Sequence, residues 1–196
     1  MRALLVPVKS FRTAKLRLAA VLNASERAEL ARSLAAGVLA AAGSLERHVV
    51  CDNEEVAEWA RSLGVNVIWT PGLGLSGAVE SGVATLADKG VSLAVVAHAD
   101  LPNAGALEGL GAPSRVTLVP DLRADGTNVA VVPASAGFRF SYGPGSFVRH
   151  RAEAARLGLA CDVVHDARLA ADVDLPSDLA HVGSAQLALI RAATAP

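Results

Sequence analysis

Cysteine is scarce in this chain, and so is any imbalance of charge. Only two cysteines occur among 196 residues, Cys51 and Cys161, far apart and outside any paired-cysteine metal spacing, so they read as reduced structural thiols. The 18 basic and 19 acidic side chains leave a net charge of −1, so no overall field draws the protein to nucleic acid or an anionic membrane, and any anion must be captured locally. No uncharged apolar run approaches the roughly 18 residues that span a bilayer, because Arg47, Asp52 and Asp88 interrupt every candidate. Lys9, Arg12, Lys15 and Arg17 follow the short apolar stretch Ala3–Val8 where a signal peptide would need its apolar segment to continue, so a cytoplasmic protein is expected. Internal repeats and low-complexity linkers are also missing. With 52% hydrophobic residues the chain can fill one core, and 1–196 is expected to form one domain.

Short β-branched runs alternate with longer Ala- and Leu-rich stretches. That is the pattern of an α/β protein with a mostly parallel sheet flanked by helices. Strands are expected at Ala3–Val8, His48–Cys51, Val65–Trp69 and Leu93–His98, with helices at Asn23–Ala42, Glu54–Leu63 and Leu75–Lys89. Asn23 with Glu26 three residues on reads as a capping box. Beyond residue 110 the rhythm changes: Arg115–Val119 and Asn128–Val132 are joined by a loop containing Asp125-Gly126, too short for a crossover helix, so a small antiparallel insertion is expected. A helix from Ser146, a strand at Asp162–Val164 and a helix at Ser184–Ala193 complete the chain.

Several segments carry groups suited to phosphate chemistry. The loop after the first strand places Lys9, Arg12, Lys15 and Arg17 at a strand's carboxyl end, where open α/β sheets bind ligands; a polyphosphate and a solvated basic loop are both compatible with it. Gly72 to Gly77 fits G-x-G-x-x-G, but after the third strand rather than the first, which argues against a dinucleotide fingerprint. Glycines such as Gly74 still let a ligand approach the backbone, and Ser76 has a hydroxyl to donate to a base or ribose. Asp100, in Asp100-Leu101-Pro102, ends a buried strand and suits a metal ligand; capping a helix near Asn103 is its structural alternative. His98, on the same strand face, reads as a core residue. Asp172 and Asp174, spaced by two in an extended chain, project to one side about 7 Å apart. With Asp100 they form a ligand set for one or two Mg2+ ions, and without it a surface pair before Pro176. The turn Gly143-Pro144-Gly145-Ser146 opens a helix whose free N–H groups, with Arg149 and Arg151, read as a site for a small anion, or as a plain helix start.

Taken in order, Pro7-Val8-Lys9, Ala14-Lys15-Leu16-Arg17-Leu18, Ala99-Asp100-Leu101-Pro102, Pro120-Asp121 through Asn128, Tyr142 through Phe147 and Asp172 through Leu179 resemble the guanylyltransferases of deazaflavin coenzyme F-420 biosynthesis, the CofC and FbiD proteins, over nearly the whole chain. The resemblance implies a nucleotidyltransferase fold, GT-A-like and Rossmann-like, with Asp100, Asp172 and Asp174 as metal ligands. It implies GTP near Pro7, Lys9, Lys15, Gly74 and Ser76, and a small phosphorylated three-carbon acid at Thr127, Gly143 and Ser146. Leu75-Ser76 departs from the Leu-Asn pair of related sequences. Catalysis would fall to Asp100, Lys9, Lys15 and Arg17, joining GMP to phosphoenolpyruvate or 2-phospho-L-lactate with release of pyrophosphate. Alternatives are a cytidylyl- or sugar nucleotidyltransferase of the same fold and a non-catalytic nucleotide-binding domain. Family and apolar content are compatible with a homodimer, and no interface is identifiable in the sequence.

Overall fold

In a computed structural model, described here for residues 1–194, seven strands form one sheet: β1 (Arg2–Pro7), β2 (Glu46–Cys51), β3 (Asn66–Trp69), β4 (Leu93–Ala97), β5 (Arg115–Pro120), β6 (Thr127–Pro133) and β7 (Ala160–Val163). Their spatial order is β3-β2-β1-β4-β6-β5-β7. Only β6 runs against its neighbours, pairing antiparallel with both β4 and β5, while the remaining pairs are parallel. The expected antiparallel element is therefore a single reversed strand inside the sheet. The sheet's helices are α1 (Ala24–Ala40), α2 (Glu54–Ser62), α3 (Gly74–Asp88) and α4 (Ser146–Arg156), with α5 (Ala167–Ala170) and α6 (Ser184–Ala193) completing the chain.

The strands alternate their side chains between two apolar layers, as period-two geometry requires. Leu4, Val95, Val129 and Val131 join α1 and α2 on one face. Ala3, Leu5, Val96, Ala130 and Val132 meet α3 and α4 on the other. Helix α3 comes so close to β1 that a Cβ on Gly82 would lie 2.7 Å from Leu5 Cδ2, so a glycine sets that spacing. A third cluster joins Leu18, Leu30 and Leu34 to Val173, Val182 and Ile190, fastening the C-terminal segment to the outer side of α1. The Asn23 capping box forms, with Glu26 N–H donating to Asn23 Oδ1 at 2.9 Å and Asn23 N–H to Glu26 Oε2 at 2.7 Å. No helix among the described residues is long and apolar enough to cross a membrane.

This topology gathers the chemistry at one edge. The chain winds outward from β1 to β3 and then returns to place β4 on the other side of β1, so a crevice opens between the carboxyl ends of β1 and β4. Because β6 is reversed, it brings its first residues, Thr127 and Asn128, to that same edge, where His98 N–H donates to Asn128 O at 2.9 Å.

Candidate active site

Three carboxylates meet in the crevice. Asp100 leaves the end of β4, while Asp172 and Asp174 lie on the extended segment after α5, and each offers an oxygen within 4.8 Å of the others. The two segments are joined by the backbone: Val173 N–H donates to Asp100 O at 3.2 Å. Val173 is fully buried in the third cluster, so its neighbours Asp172 and Asp174 turn the opposite way, as the alternation in sequence requires. The segment is braced from both ends. Asn128 Nδ2 donates to Leu169 O and Ala170 O at 3.0 Å each, and Asp178 Oδ2 accepts from the N–H groups of Asp174 and Leu175 at 3.0 and 2.7 Å.

Lys15 lies among these carboxylates, its Nζ 2.7 Å from Asp100 Oδ2 and 3.4 Å from Asp174 Oδ1. Its backbone is left-handed, with φ 54°, a conformation lysine adopts at a cost and that recurs at functional sites. Burial would lower the Lys15 pKa, but the charges of Asp100 and Asp174 outweigh it and hold the ammonium above the ordinary lysine value. Burial would likewise raise Asp100, and Lys15 overcomes this and holds its carboxyl below the usual range. Asp172 has no such partner: burial, and then the charges of Asp100 and Asp174, push it up to about 6. Arg17 is mostly exposed and reaches Asp174 Oδ2 at 3.5 Å. Three carboxylates against Lys15 and Arg17 leave an excess of negative charge, and the buried Asp100 Oδ1 has no partner among the described residues. A hard divalent cation fits this donor set.

Beside the carboxylates is a cavity of about 230 Å³, lined in part by Pro7, Lys9, Phe11, Lys15, Leu75 and Asp100. The basic loop does not act as one unit: Arg12 turns away to Glu55 of α2, at 3.4 Å. His98 also lines this cavity, and its buried Nε2 has no partner among the described residues. Reading it as a satisfied core residue undervalued it; only tertiary structure shows that the ring reaches the crevice. Asp100 caps no helix, because residues 101–110 form turns.

Behind His98, whose ring lies 5.0 Å from that of Tyr142, runs the loop from Arg139 to Gly145, whose backbone N–H groups are tied down by hydrogen bonds. Phe140 N–H donates to Glu80 Oε1 at 2.7 Å, Tyr142 N–H to Ser76 Oγ at 3.0 Å and Gly145 N–H to Asp125 Oδ1 at 3.0 Å. Ser76 thus engages this loop through its hydroxyl. Arg149 crosses underneath, donating to Pro144 O at 2.6 Å and Ser141 O at 2.9 Å. Gly145 is the N-cap of α4. The first N–H groups of that helix are not free as the sequence suggested, since Ser146 donates to Gly143 O and Phe147 to Asp125 O, each at 3.0 Å. Thr127 and Ser146 are buried nearby, and Gly143 has a positive φ of 108°.

His150, which the sequence left unassigned, links these parts. Ser141 N–H donates to His150 Nε2 at 2.9 Å, so Nε2 accepts and the ring proton resides on Nδ1, 3.0 Å from Thr127 Oγ1. Thr127 therefore accepts from His150 and has its own hydroxyl hydrogen to donate elsewhere. Burial, with Arg149 nearby, lowers the His150 pKa to about 4, which keeps this neutral tautomer at physiological pH.

A family model for "Guanylyl transferase CofC like" proteins matches residues 1–184 of this chain. The chain belongs to this family. Its guanylyltransferase relatives include the phosphoenolpyruvate guanylyltransferase of Rubrobacter xylanophilus, 36% identical over 90% of this chain and 91% of the relative. Others are the 3-phospho-D-glycerate guanylyltransferase of Phenylobacterium zucineum, at 33% over 86% and 84%, and the 2-phospho-L-lactate guanylyltransferase of Methanothermobacter thermautotrophicus, at 31% over 91% and 82%. Among solved structures, a nucleotidyl transferase from Methanothermobacter thermautotrophicus superposes with a TM-score of 0.67 at 16% identity, covering 96% of this chain and 99% of that one. This last likeness shows the shared nucleotidyltransferase fold.

Proposed function

We propose that this guanylyltransferase works in the cytoplasm, in coenzyme F-420 biosynthesis, transferring GMP from GTP to phosphoenolpyruvate with Mg2+ held by Asp100, Asp172 and Asp174. The carrying observation is the convergence of these three carboxylates in the crevice between β1 and β4, with Lys15 paired to Asp100 and Asp174. The acceptor's phosphate is already ionised near neutral pH, so one of its oxygens attacks the α-phosphorus without a protein nucleophile. The bond from the α-phosphorus to the bridging oxygen breaks, and pyrophosphate leaves with the electron pair. Catalysis then rests on position and charge.

Magnesium, when bound, supplies neutralisation of the charge shared by the two reacting phosphates. Lys15 contributes a fixed cation beside Asp100, and Lys9 and Arg17 face the departing pyrophosphate. Pro7, Lys9, Lys15 and Gly74 line the cavities that receive GTP. Thr127, Gly143 and Ser146 orient the acid, with the Thr127 hydroxyl hydrogen left free for the ligand by His150. Phosphoenolpyruvate is favoured over 2-phospho-L-lactate and 3-phosphoglycerate because relatives named for it reach 36% and 35% identity, against 34% for a 2-phospho-L-lactate relative and 33% for the 3-phospho-D-glycerate one. The test is to offer GTP and magnesium with each acid separately and to identify the product by mass. A guanylylated enolpyruvate as the main product supports the reading, whereas a preferred lactate or glycerate product reassigns the acceptor.

A further inference from the structure

A second cavity of about 240 Å³ adjoins the first and shares Pro7, Val8, Lys9 and Leu75 with it. It lies away from the carboxylates, at the carboxyl ends of β2 and β3, and is closed on one side by Gly74 and Ala78 of α3. Two of its lining groups play no part in the chemistry above. Thr70, only 4% exposed, has a buried Oγ1 with no partner among the described residues, although its backbone N–H is already bonded to Cys51 O at 3.0 Å. A buried hydroxyl left without a partner is costly, and a ligand that supplies one removes the cost. Asp52, an exposed residue directly after β2, lines the mouth of the same cavity, and its carboxylate enters no ion pair or hydrogen bond with another described side chain. Val8, Val50, Leu75 and Ala78 give the cavity apolar walls that suit the faces of a planar ring, while Ser10 and Thr13 of the first loop line its polar side.

We propose that this cavity is the guanine pocket, with Asp52 the residue that selects guanine from the other bases and Thr70 the partner of its O6. This rests on the guanylyl-transfer reading. A carboxylate only accepts hydrogen bonds, and guanine alone among the four common bases presents two adjacent ring-edge donors, N1–H and the 2-amino group, that one carboxylate takes together. Thr70 donates its hydroxyl hydrogen to the O6 carbonyl. From this pocket the ribose passes over Lys9 and Leu75, two of the four residues common to both cavities, and the triphosphate enters the space beside Lys15 and Asp100. Adenine would oppose its 6-amino group to the place of O6 and offer no donor pair to Asp52. The discrimination rests on Asp52, because the Thr70 hydroxyl accepts from an amino group as readily as it donates to a carbonyl.

The experiment measures equilibrium binding of GTP, ITP, ATP and XTP with magnesium and no acceptor, to the wild type and to Asp52→Asn and Thr70→Val, so that the readout does not depend on transfer. The wild type should bind ITP, which lacks the 2-amino group, at least about tenfold more weakly than GTP, the cost of one hydrogen bond to a charged acceptor. Asp52→Asn should lose GTP by a similar factor and gain XTP, whose 2-carbonyl accepts from the new amide, so that XTP overtakes GTP. Thr70→Val, which keeps the side-chain shape, should weaken GTP severalfold while leaving the magnesium requirement unchanged. Unaltered GTP, ITP and XTP preferences in Asp52→Asn, with the variant folded, would overturn the assignment even if pyrophosphate release from GTP is intact. Conversely, guanine-selective binding that shifts to XTP in the variant upholds the pocket even if the transfer reaction proves to use another acceptor.

Discussion

Asp172→Asn should make the metal-free protein more stable while removing its activity. The substitution keeps the side chain's shape and deletes a charge that burial and two neighbouring carboxylates oppose. The Asp172 pKa is raised from 3.8 to about 6 in the folded chain, and each pKa unit corresponds to about 1.36 kcal/mol. Discounting for partial exposure of the side chain, the charge costs the fold about 1–2 kcal/mol at neutral pH. The sign follows from linkage: the folded state holds the proton more tightly than the unfolded chain, so the penalty is full above about pH 6 and fades as pH falls toward 4. For a chain of this length, 1–2 kcal/mol is about 2–8 °C in Tm. The assay is urea or thermal unfolding of EDTA-treated wild type and variant at pH 7.5 and pH 4.5, repeated with magnesium. The variant should unfold later than the wild type at pH 7.5 without metal, and the gap should close at pH 4.5. Magnesium should stabilise the wild type and not the variant, since only the former keeps the full ligand set. A variant less stable at pH 7.5 without metal, or a gap independent of pH, would refute the reasoning. Such a site sacrifices stability for function, because the charges are arranged for a ligand that the bare chain lacks.

The same titration predicts that magnesium binds more weakly below about pH 6, because the metal must displace the proton on Asp172; magnesium titrations of pyrophosphate release at pH 5.5 and 7.5 should differ in midpoint, and coincident curves would refute this. Asp100→Asn should lower turnover by about 10²–10³-fold, the equivalent of several kcal/mol of charge stabilisation, with circular dichroism unchanged. His150→Phe removes partners from Thr127 and Ser141; at about 1–3 kcal/mol for each buried group left unpaired, stability should fall by about 2–6 kcal/mol in urea unfolding, and the acceptor's KM should rise while GTP binding holds. Arg149→Ala frees the carbonyls of Ser141 and Pro144 and should raise the acceptor's KM at nearly constant affinity for GTP, measured by steady-state kinetics.

The strand sequence and the reversed strand were legible because they depend on local pattern. Buried β-branched runs such as Leu93 to Ala97 have no other stable use, and the Asp125-Gly126 loop is too short to cross the sheet. The capping box at Asn23 and Glu26 was equally local. The metal cluster was half legible: the two-residue spacing put Asp172 and Asp174 on one side, but their meeting with Asp100 depends on the Val173 to Asp100 backbone bond across the fold. What stayed hidden was set by partners distant in sequence. Lys15 had to adopt a left-handed backbone to reach two carboxylates, Arg12 was diverted by Glu55, and the N–H groups ahead of α4 were already taken by Gly143 and Asp125. His150 and Thr70 gave no pattern signal, since a buried histidine or threonine looks the same in sequence whether its polar atoms are satisfied by the chain or left for a ligand.

The central claim is that these carboxylates serve metal-dependent transfer of GMP. Its most direct test is pyrophosphate release by the purified protein from GTP and phosphoenolpyruvate, with magnesium and with EDTA, in the wild type and in Asp100→Asn. The account predicts that release requires GTP, the acid and magnesium together, and that it falls by about 10²–10³-fold in Asp100→Asn. Equal release in EDTA, or from the Asp100→Asn variant, would contradict it.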